Sequence, residues 1–196
     1  SESIMMFWLL PRIARFQHLH PTMPLQFNMN YRGIDPIRDN ISVAIRNTMI
    51  TPPEDIIVRE LADEWIGPVC TPEYLRQNAF REPVDLARAR LLATRSRPLA
   101  WQQWATAAGA NDLNLSVQEE FEHFYLLIQA AACGLGIATV PRMLVLDALE
   151  SGRLVAPFGF LRGQYRLVLW INPHVRSRAD VQMLVDWMVE ELQQNT

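Results

Sequence analysis

The residues best equipped for chemistry lie in three places. His123 stands among Glu119, Glu120 and Glu122, and a carboxylate beside an imidazole is the arrangement of a general base pair. No nucleophile with an orienting third group accompanies them, so the catalytic set is incomplete. His18 and His20 flank Leu19 at the end of a helical stretch, a spacing that suits neither a helical nor a finger-type metal site. Arg95, Ser96 and Arg97 fall between a strand-like and a helix-like stretch, where guanidinium forks and backbone N–H groups favour anions; a solvated loop is the other reading. All 18 basic residues are arginine. The absence of lysine removes a Schiff-base nucleophile, a pyridoxal attachment site and the P-loop cation together. Gly134-Leu135-Gly136 closes a helix and leads into a strand, the reverse of the order that binds a dinucleotide. No enzyme activity, cofactor or metal is expected.

The elements that must position these groups come from an ordinary globular chain. It has 196 residues, 49% hydrophobic and 20% charged, enough for one large domain or two small lobes with a real core. A net charge of −3 leaves no basic footprint for a phosphate backbone. Cys70 and Cys133 both sit in apolar surroundings and read as buried, reduced thiols. The longest apolar stretch, near Phe124 to Val140, is broken by Gln129 and two glycines, so no membrane span or anchor is expected and the location is cytoplasmic.

Strand-like and helix-like stretches alternate along the chain, the signature of an α/β sheet. Ser3 precedes a helical run through Leu10, Ile13, Phe16 and Leu19, with Pro11 tolerable only near a first turn. Pro24 to Asn30 alternates Leu25, Phe27 and Met29 as a half-buried strand does. Strands follow at 41–46, 56–61, 66–70 and 91–94, with helix starts at Thr71 and Asp85. Further helices carry Trp101 and Trp104, run from Glu122 to Cys133, and open at Pro141; Gly109, Gly134 and Gly152 cap them. Strands at 136–140, near Leu154 and at 167–171 precede a last helix, which Ser177 and Asp180 open as a capping box.

The stretches ESIMMFWLLPRIARFQHLHP, WIGPVCTPEYL and DLARARLLATRSRPLAWQQWATAAG, with FEHFYLLIQAAACGLGIATVPRMLVLDALESGRLVAPFG, resemble the effector-binding domain of LysR-type transcriptional regulators. The resemblance covers essentially the whole chain and is strongest to the branch of the glycine-cleavage and β-lactamase activators. It implies an α/β, two-lobed fold like the type 2 periplasmic binding proteins, joined by two crossover strands. Lobe I would comprise residues 1–67 and 172–196, and lobe II residues 68–171. The winged helix-turn-helix that reads DNA would lie upstream, absent from this chain.

The resemblance also implies a small-molecule effector in the interlobe cleft and a homodimer or tetramer of the full-length protein. The residues themselves suggest an amino-acid-like or amine-bearing molecule, since Arg95 and Arg97 offer forks to a carboxylate and Glu2 and Glu122 can accept from an ammonium; the alternative is that Arg95 pairs with Glu122 and closes the cleft without a ligand. Glu2, Ser3 and Ile4 would face the effector from the first helix. Thr94, Arg95 and Arg97 would do so from the loop after a strand of lobe II, with Trp101 covering an apolar or cationic part. Tyr165 would face it from before the second crossing. Glu122, His123 and Phe124 stand where relatives carry small hydroxyl residues, so this wall is bulkier and more acidic than theirs. DNA would be bound only through the missing upstream domain, and no membrane is involved. A free-standing solute-binding protein of a transporter is the alternative.

One outcome follows from charge. In gel retardation at low salt, where nonspecific binding is strongest, these residues alone should not shift DNA; salt-sensitive binding would contradict the reading.

Overall fold

Pro11 shapes the first element. Lacking an N–H, it cannot complete the ordinary helical bond to the carbonyl four residues back. The computed structural model, which describes residues 2–29 and 33–194, resolves this by widening the turn ahead of it. Helix α1 (Glu2–Ile4) passes into a π-helical turn, Met5–Leu9, and then into α2 (Leu10–Leu19), where the Leu10 N–H bonds back to the Met5 carbonyl. Pro11 thereby occupies the first turn of α2, where no N–H is required.

The chain divides into two units, Ser1–Asp63 with Tyr165–Thr196, and Glu64–Gln164. The sequence placed the boundaries at 67/68 and 171/172; those observed fall earlier. Both lie inside continuous strands, so no change of composition marks them.

In the first unit β1 (Val43–Asn47) pairs antiparallel with β6 (Leu161–Ile171), Val43 opposite Ile171. The final helix α7 (Ala179–Gln194) brings Trp187 against Phe16, with ring centroids 5.1 Å apart, and Trp8 lies 6.5 Å from the same ring. Ala44, Ile56, Val168 and Trp170 form a second cluster. Arg46 is buried beside it with its guanidinium 5.4 Å from the Trp170 ring, and burial lowers its pKa.

In the second unit, β2 (Ile57–Val69) enters and pairs antiparallel with β5 (Ile137–Pro141). The parallel strands β3 (Leu91–Thr94) and β4 (Val117–Phe121) continue the sheet, with β3 between β5 and β4. Helices α3 (Pro72–Asn78), α4 (Ala100–Ala107), α5 (Phe124–Ala132) and α6 (Leu146–Glu150) complete the unit. The core gathers Ile66, Phe80, Leu86, Leu91, Trp104 and Ile137. Thr71 caps α3 by accepting from the Tyr74 N–H.

Several expectations need correction. Pro24–Met29 forms no strand despite its alternation, and Asn30 lies outside the described residues. The strands expected at 56–61 and 66–70 are one, because nothing between them breaks extended backbone. The helix expected from Asp85 is a 3₁₀ segment, Pro83–Arg88, whose capping box is Glu82 with Asp85. Pro141 ends β5 rather than opening a helix; a 3₁₀ turn, Arg142–Leu144, and α6 follow. Near Leu154 only an isolated bridge forms, Val155 to Cys70. The capping box of Ser177 with Asp180 is displaced: α7 begins at Ala179, and Asp180 instead accepts from Arg178 and the Val181 N–H. Cys133 is exposed, because it follows the last turn of α5. Strand β4 escapes the sequence reading, since its run Gln118-Glu119-Glu120 carries no apolar alternation.

Two glycines of one motif are required for different reasons. Gly134 has φ +81°, the left-handed cap of α5. A Cβ on Gly136 would lie 2.3 Å from the Arg90 carbonyl oxygen, which accepts the Ile137 N–H of the adjoining strand. Gly134→Ala should therefore cost about 1–2 kcal/mol of conformational strain, and Gly136→Ala about 3 kcal/mol or more because backbone must move; urea unfolding midpoints give the order. The thiols make a second test. Burial pushes Cys70 up to about 12, leaving it protonated at neutral pH, whereas Cys133 is exposed. A maleimide should label Cys133 alone in the folded protein, and Cys70 only after denaturation.

Candidate functional site

Parallel strands deliver their carboxyl ends to one rim of a sheet, and side chains there meet the amino ends of the following helices. In the second unit β3 and β4 end together at Thr94 and Phe121, in register. The Arg95 N–H donates to the Phe121 carbonyl at 2.8 Å, extending the pairing by one residue. Beyond the two ends lie Arg95-Ser96-Arg97 on one side, and Glu122-His123 leading into α5 on the other. The structure thus brings together most of the residues that the sequence singled out, within one unit.

Thr94 is buried, and its hydroxyl joins the two sides of the rim. Its Oγ1 lies 2.9 Å from Ser96 Oγ and donates to the Glu122 carbonyl at 3.2 Å. It also accepts the Ser96 N–H at 3.3 Å. The Arg97 N–H donates to the Thr94 carbonyl, closing the loop as a turn. His123 is the N-cap of α5, in extended conformation, with its ring stacked on Tyr125 at 5.5 Å.

The two arginines of the loop differ in kind. Arg95 is exposed, and its guanidinium is bonded to Glu122 and lies 3.8 Å from Glu120. Two carboxylates therefore share one cation, and the rim has acceptor capacity to spare. Arg97 points inward, with 5% of its side chain exposed, and its two terminal nitrogens donate to the two carboxylate oxygens of Glu64 at 2.7 and 3.1 Å. This bidentate fork is the geometry that best offsets the cost of removing both charges from water. The guanidinium carbon also lies 5.9 Å from the Phe124 ring, which ties the loop to the first residue of α5.

Trp101, expected to cover a ligand, is 4% exposed, with its indole N–H donating to the Leu92 carbonyl at 2.9 Å. It packs edge-on against Trp104 in the core and presents no open face. Glu2, Ser3, Ile4 and Tyr165 belong to the first unit. There Ser3 is buried, Glu2 and Tyr165 are half-buried, and Ile4 lines a cavity of that unit. Glu64 escaped the sequence reading; its one signal is a carboxylate within the otherwise apolar end of a strand. Thr139 on β5 escaped it too, and its buried hydroxyl has no hydrogen-bond partner among the described residues.

Among the described residues no group of three or more His, Cys, Asp or Glu side chains could hold a metal ion, and no helix is long and apolar enough to cross a membrane. The rim offers hydroxyls, one shared guanidinium, two carboxylates and the N–H groups at the start of α5, which suit recognition of a small polar molecule.

Comparison with known proteins places this geometry. Residues 1–193 match the LysR substrate binding domain family. The HTH-type transcriptional regulator TrpI of Pseudomonas aeruginosa is 35% identical over 193 residues, 97% of this chain and 65% of that protein. The glycine cleavage system transcriptional activator of Escherichia coli K12 is 32% identical over 157 residues, 80% of this chain and 51% of the activator. The chain thus spans between half and two thirds of these relatives. The effector domain of the transcriptional regulator AmpR of P. aeruginosa superposes with a TM-score of 0.80 at 23% identity, covering 98% of this chain and 92% of that one. The regulatory domain of CrgA from Neisseria meningitidis gives 0.77 at 20% identity, covering 98% and 95%. At those identities the likeness speaks for the fold, and the fold is the one the resemblance implied. With the family matched from end to end, the chain belongs to the LysR substrate-binding domains.

Proposed function

We propose that this chain is the effector-sensing part of a cytoplasmic LysR-type transcriptional regulator, with no catalysis of its own. The observation that carries the reading is the family match over residues 1–193, alongside relatives that are named as regulators and extend well beyond this chain. In such a protein a ligand acts by differential affinity for two arrangements, and so shifts the population that an attached DNA-binding part reads. DNA contact belongs to that part, and a dimer or tetramer of the whole protein is the assembly we expect. A transporter's solute-binding protein is not favoured, because the relatives are transcription regulators.

The effector is a small amine-bearing or zwitterionic metabolite, and its polar groups dock at the ends of β3 and β4. The surplus carboxylate of the pair Glu120 and Glu122 suits an ammonium group. Ser96 and the exposed fork of Arg95 suit a carboxylate, with buried Thr94 holding the two strand ends together beneath them. Arg97 and Trp101 support this rim from behind: the first is paired with Glu64 and the second donates to Leu92.

A thermal-shift screen of metabolites, followed by calorimetry, tests the assignment. Charge-assisted bonds contribute roughly 1.5–3 kcal/mol each, so Arg95→Ala should weaken a carboxylate-bearing hit by about tenfold to a hundredfold. Its exposed position predicts little change in folding stability. Glu122→Gln should weaken amines and spare simple acids. Arg97→Met should instead destabilise the fold by about 3–5 kcal/mol, because it strands Glu64 as a buried unpaired charge. Equal affinity in the native and Arg95→Ala proteins would remove Arg95 from the site, and a best hit without amine or carboxylate would reject the ligand class.

A further inference from the structure

The amino end of α5 carries a ring where a helix ordinarily carries a cap. An N-cap is usually Ser, Thr, Asp or Asn, whose side-chain oxygen accepts an N–H of the first turn. His123 holds that position in extended conformation, with φ −137° and ψ 156°, and its side chain does not cap the helix. The imidazole therefore stands in place of a capping bond.

Alternation decides where it points. In extended backbone successive side chains turn to opposite sides. Glu122 bonds to Arg95, and the Phe124 ring lies 5.9 Å from the Arg97 guanidinium, so both turn towards the loop after β3. His123, between them, turns the other way. The Tyr125 ring joins it there, with centroids 5.5 Å apart and planes inclined by 21°. Leu127 and Ile128, further along α5, are buried in the core, whereas His123 and Tyr125 are each half-buried. The two rings form a short stack at the rim, one part packed and one part open to solvent.

Holding the start of α5 does not account for this stack. Phe124 already ties the helix to the loop through Arg97, and the Thr94 hydroxyl donates to the Glu122 carbonyl just ahead of it. A stack of rings has a second use. Aromatic faces are electron-rich and their edges electron-poor, so a further ring packs against them offset or tilted and gains more than its buried area supplies. A saturated ring of the same size gains the area alone.

We propose that the His123–Tyr125 stack sets the ring specificity of the effector. The amine-bearing or zwitterionic molecule read at the ends of β3 and β4 carries an aromatic ring, which packs against the stack while its charged groups meet Arg95, Ser96 and the carboxylates. The inference rests on the rim being the effector site, as proposed above.

Calorimetry with two probes tests it. L-Phenylalanine and its ring-saturated analogue L-cyclohexylalanine share their charged groups and differ in the π character of the ring. The ratio of the two affinities is compared in the native chain, His123→Asn and Tyr125→Leu. The native ratio should favour the aromatic probe by about threefold to tenfold more than either variant. Because Asn is a good N-cap, His123→Asn should hold or raise the thermal midpoint while lowering the ratio; a stack that only stabilised the helix would give a lower midpoint and the native ratio. Arg95→Ala should weaken both probes alike and leave their ratio unchanged. A ratio that neither ring variant moves would overturn the proposal and leave the rim as the effector site. Binding of neither probe to the native chain would overturn the zwitterion reading of the rim, and the proposal with it.

Discussion

The rim of the second unit depends on a buried ion pair. Arg97 and Glu64 are buried together, and two charges out of water persist only where each satisfies the other's hydrogen-bonding groups. Their fork fastens the loop after β3 to β2, while the guanidinium's approach to Phe124 fastens it to α5. With both attachments in place, Thr94 and Ser96 are held at the strand ends and Arg95 turns outward. The pair therefore decides which arginine of the loop is exposed.

Much of the fold was legible where one residue type has one physical use. Gly109, Gly134 and Gly152 all adopt positive φ beside helix ends, as their positions in the sequence required. Thr71 before Pro72 signalled α3, and the alternating burial of Val43–Asn47 matched a half-buried strand. The misreadings share a cause, which is that local pattern cannot see a neighbour. Pro24–Met29 has the alternation of a strand but lacks a partner edge among the described residues. Strand β4 has a partner edge in β3 but lacks the alternation, because Glu119 pairs with Arg90 and Glu120 faces Arg95. Pro141 reads as a helix start yet closes a strand, where its missing N–H is equally harmless.

The candidate site was legible in part. Arg95, Arg97, Glu122 and His123 were singled out because charged residues at strand-to-helix junctions have few structural uses, and the structure gathers them at one rim. The sequence offered no means of separating Arg95 from Arg97, since both sit in one polar run. Their difference lies in Glu64, more than thirty positions away in the chain. Trp101 misled for the opposite reason: an indole beside a polar loop resembles a ligand's cover until its N–H is found on the Leu92 carbonyl.

The π-helical turn at Met5–Leu9 sets the phase of everything after it. The buried stripe passes from Ser3 to Trp8 and Leu9, then to Ile13 and Phe16, and the step across the turn is longer than a regular helix allows. Each residue of a regular helix advances the face by about 100°, so one additional residue in a regular helix would turn the later stripe away. The widened turn absorbs that residue: without it Ser3 and Trp8 would stand four positions apart, the ordinary helical spacing, and Ile13 and Phe16 would keep the same face, but Pro11 would then follow an unwidened turn. A segment that looks like an ordinary apolar run, MMFWL, thus makes room for a proline.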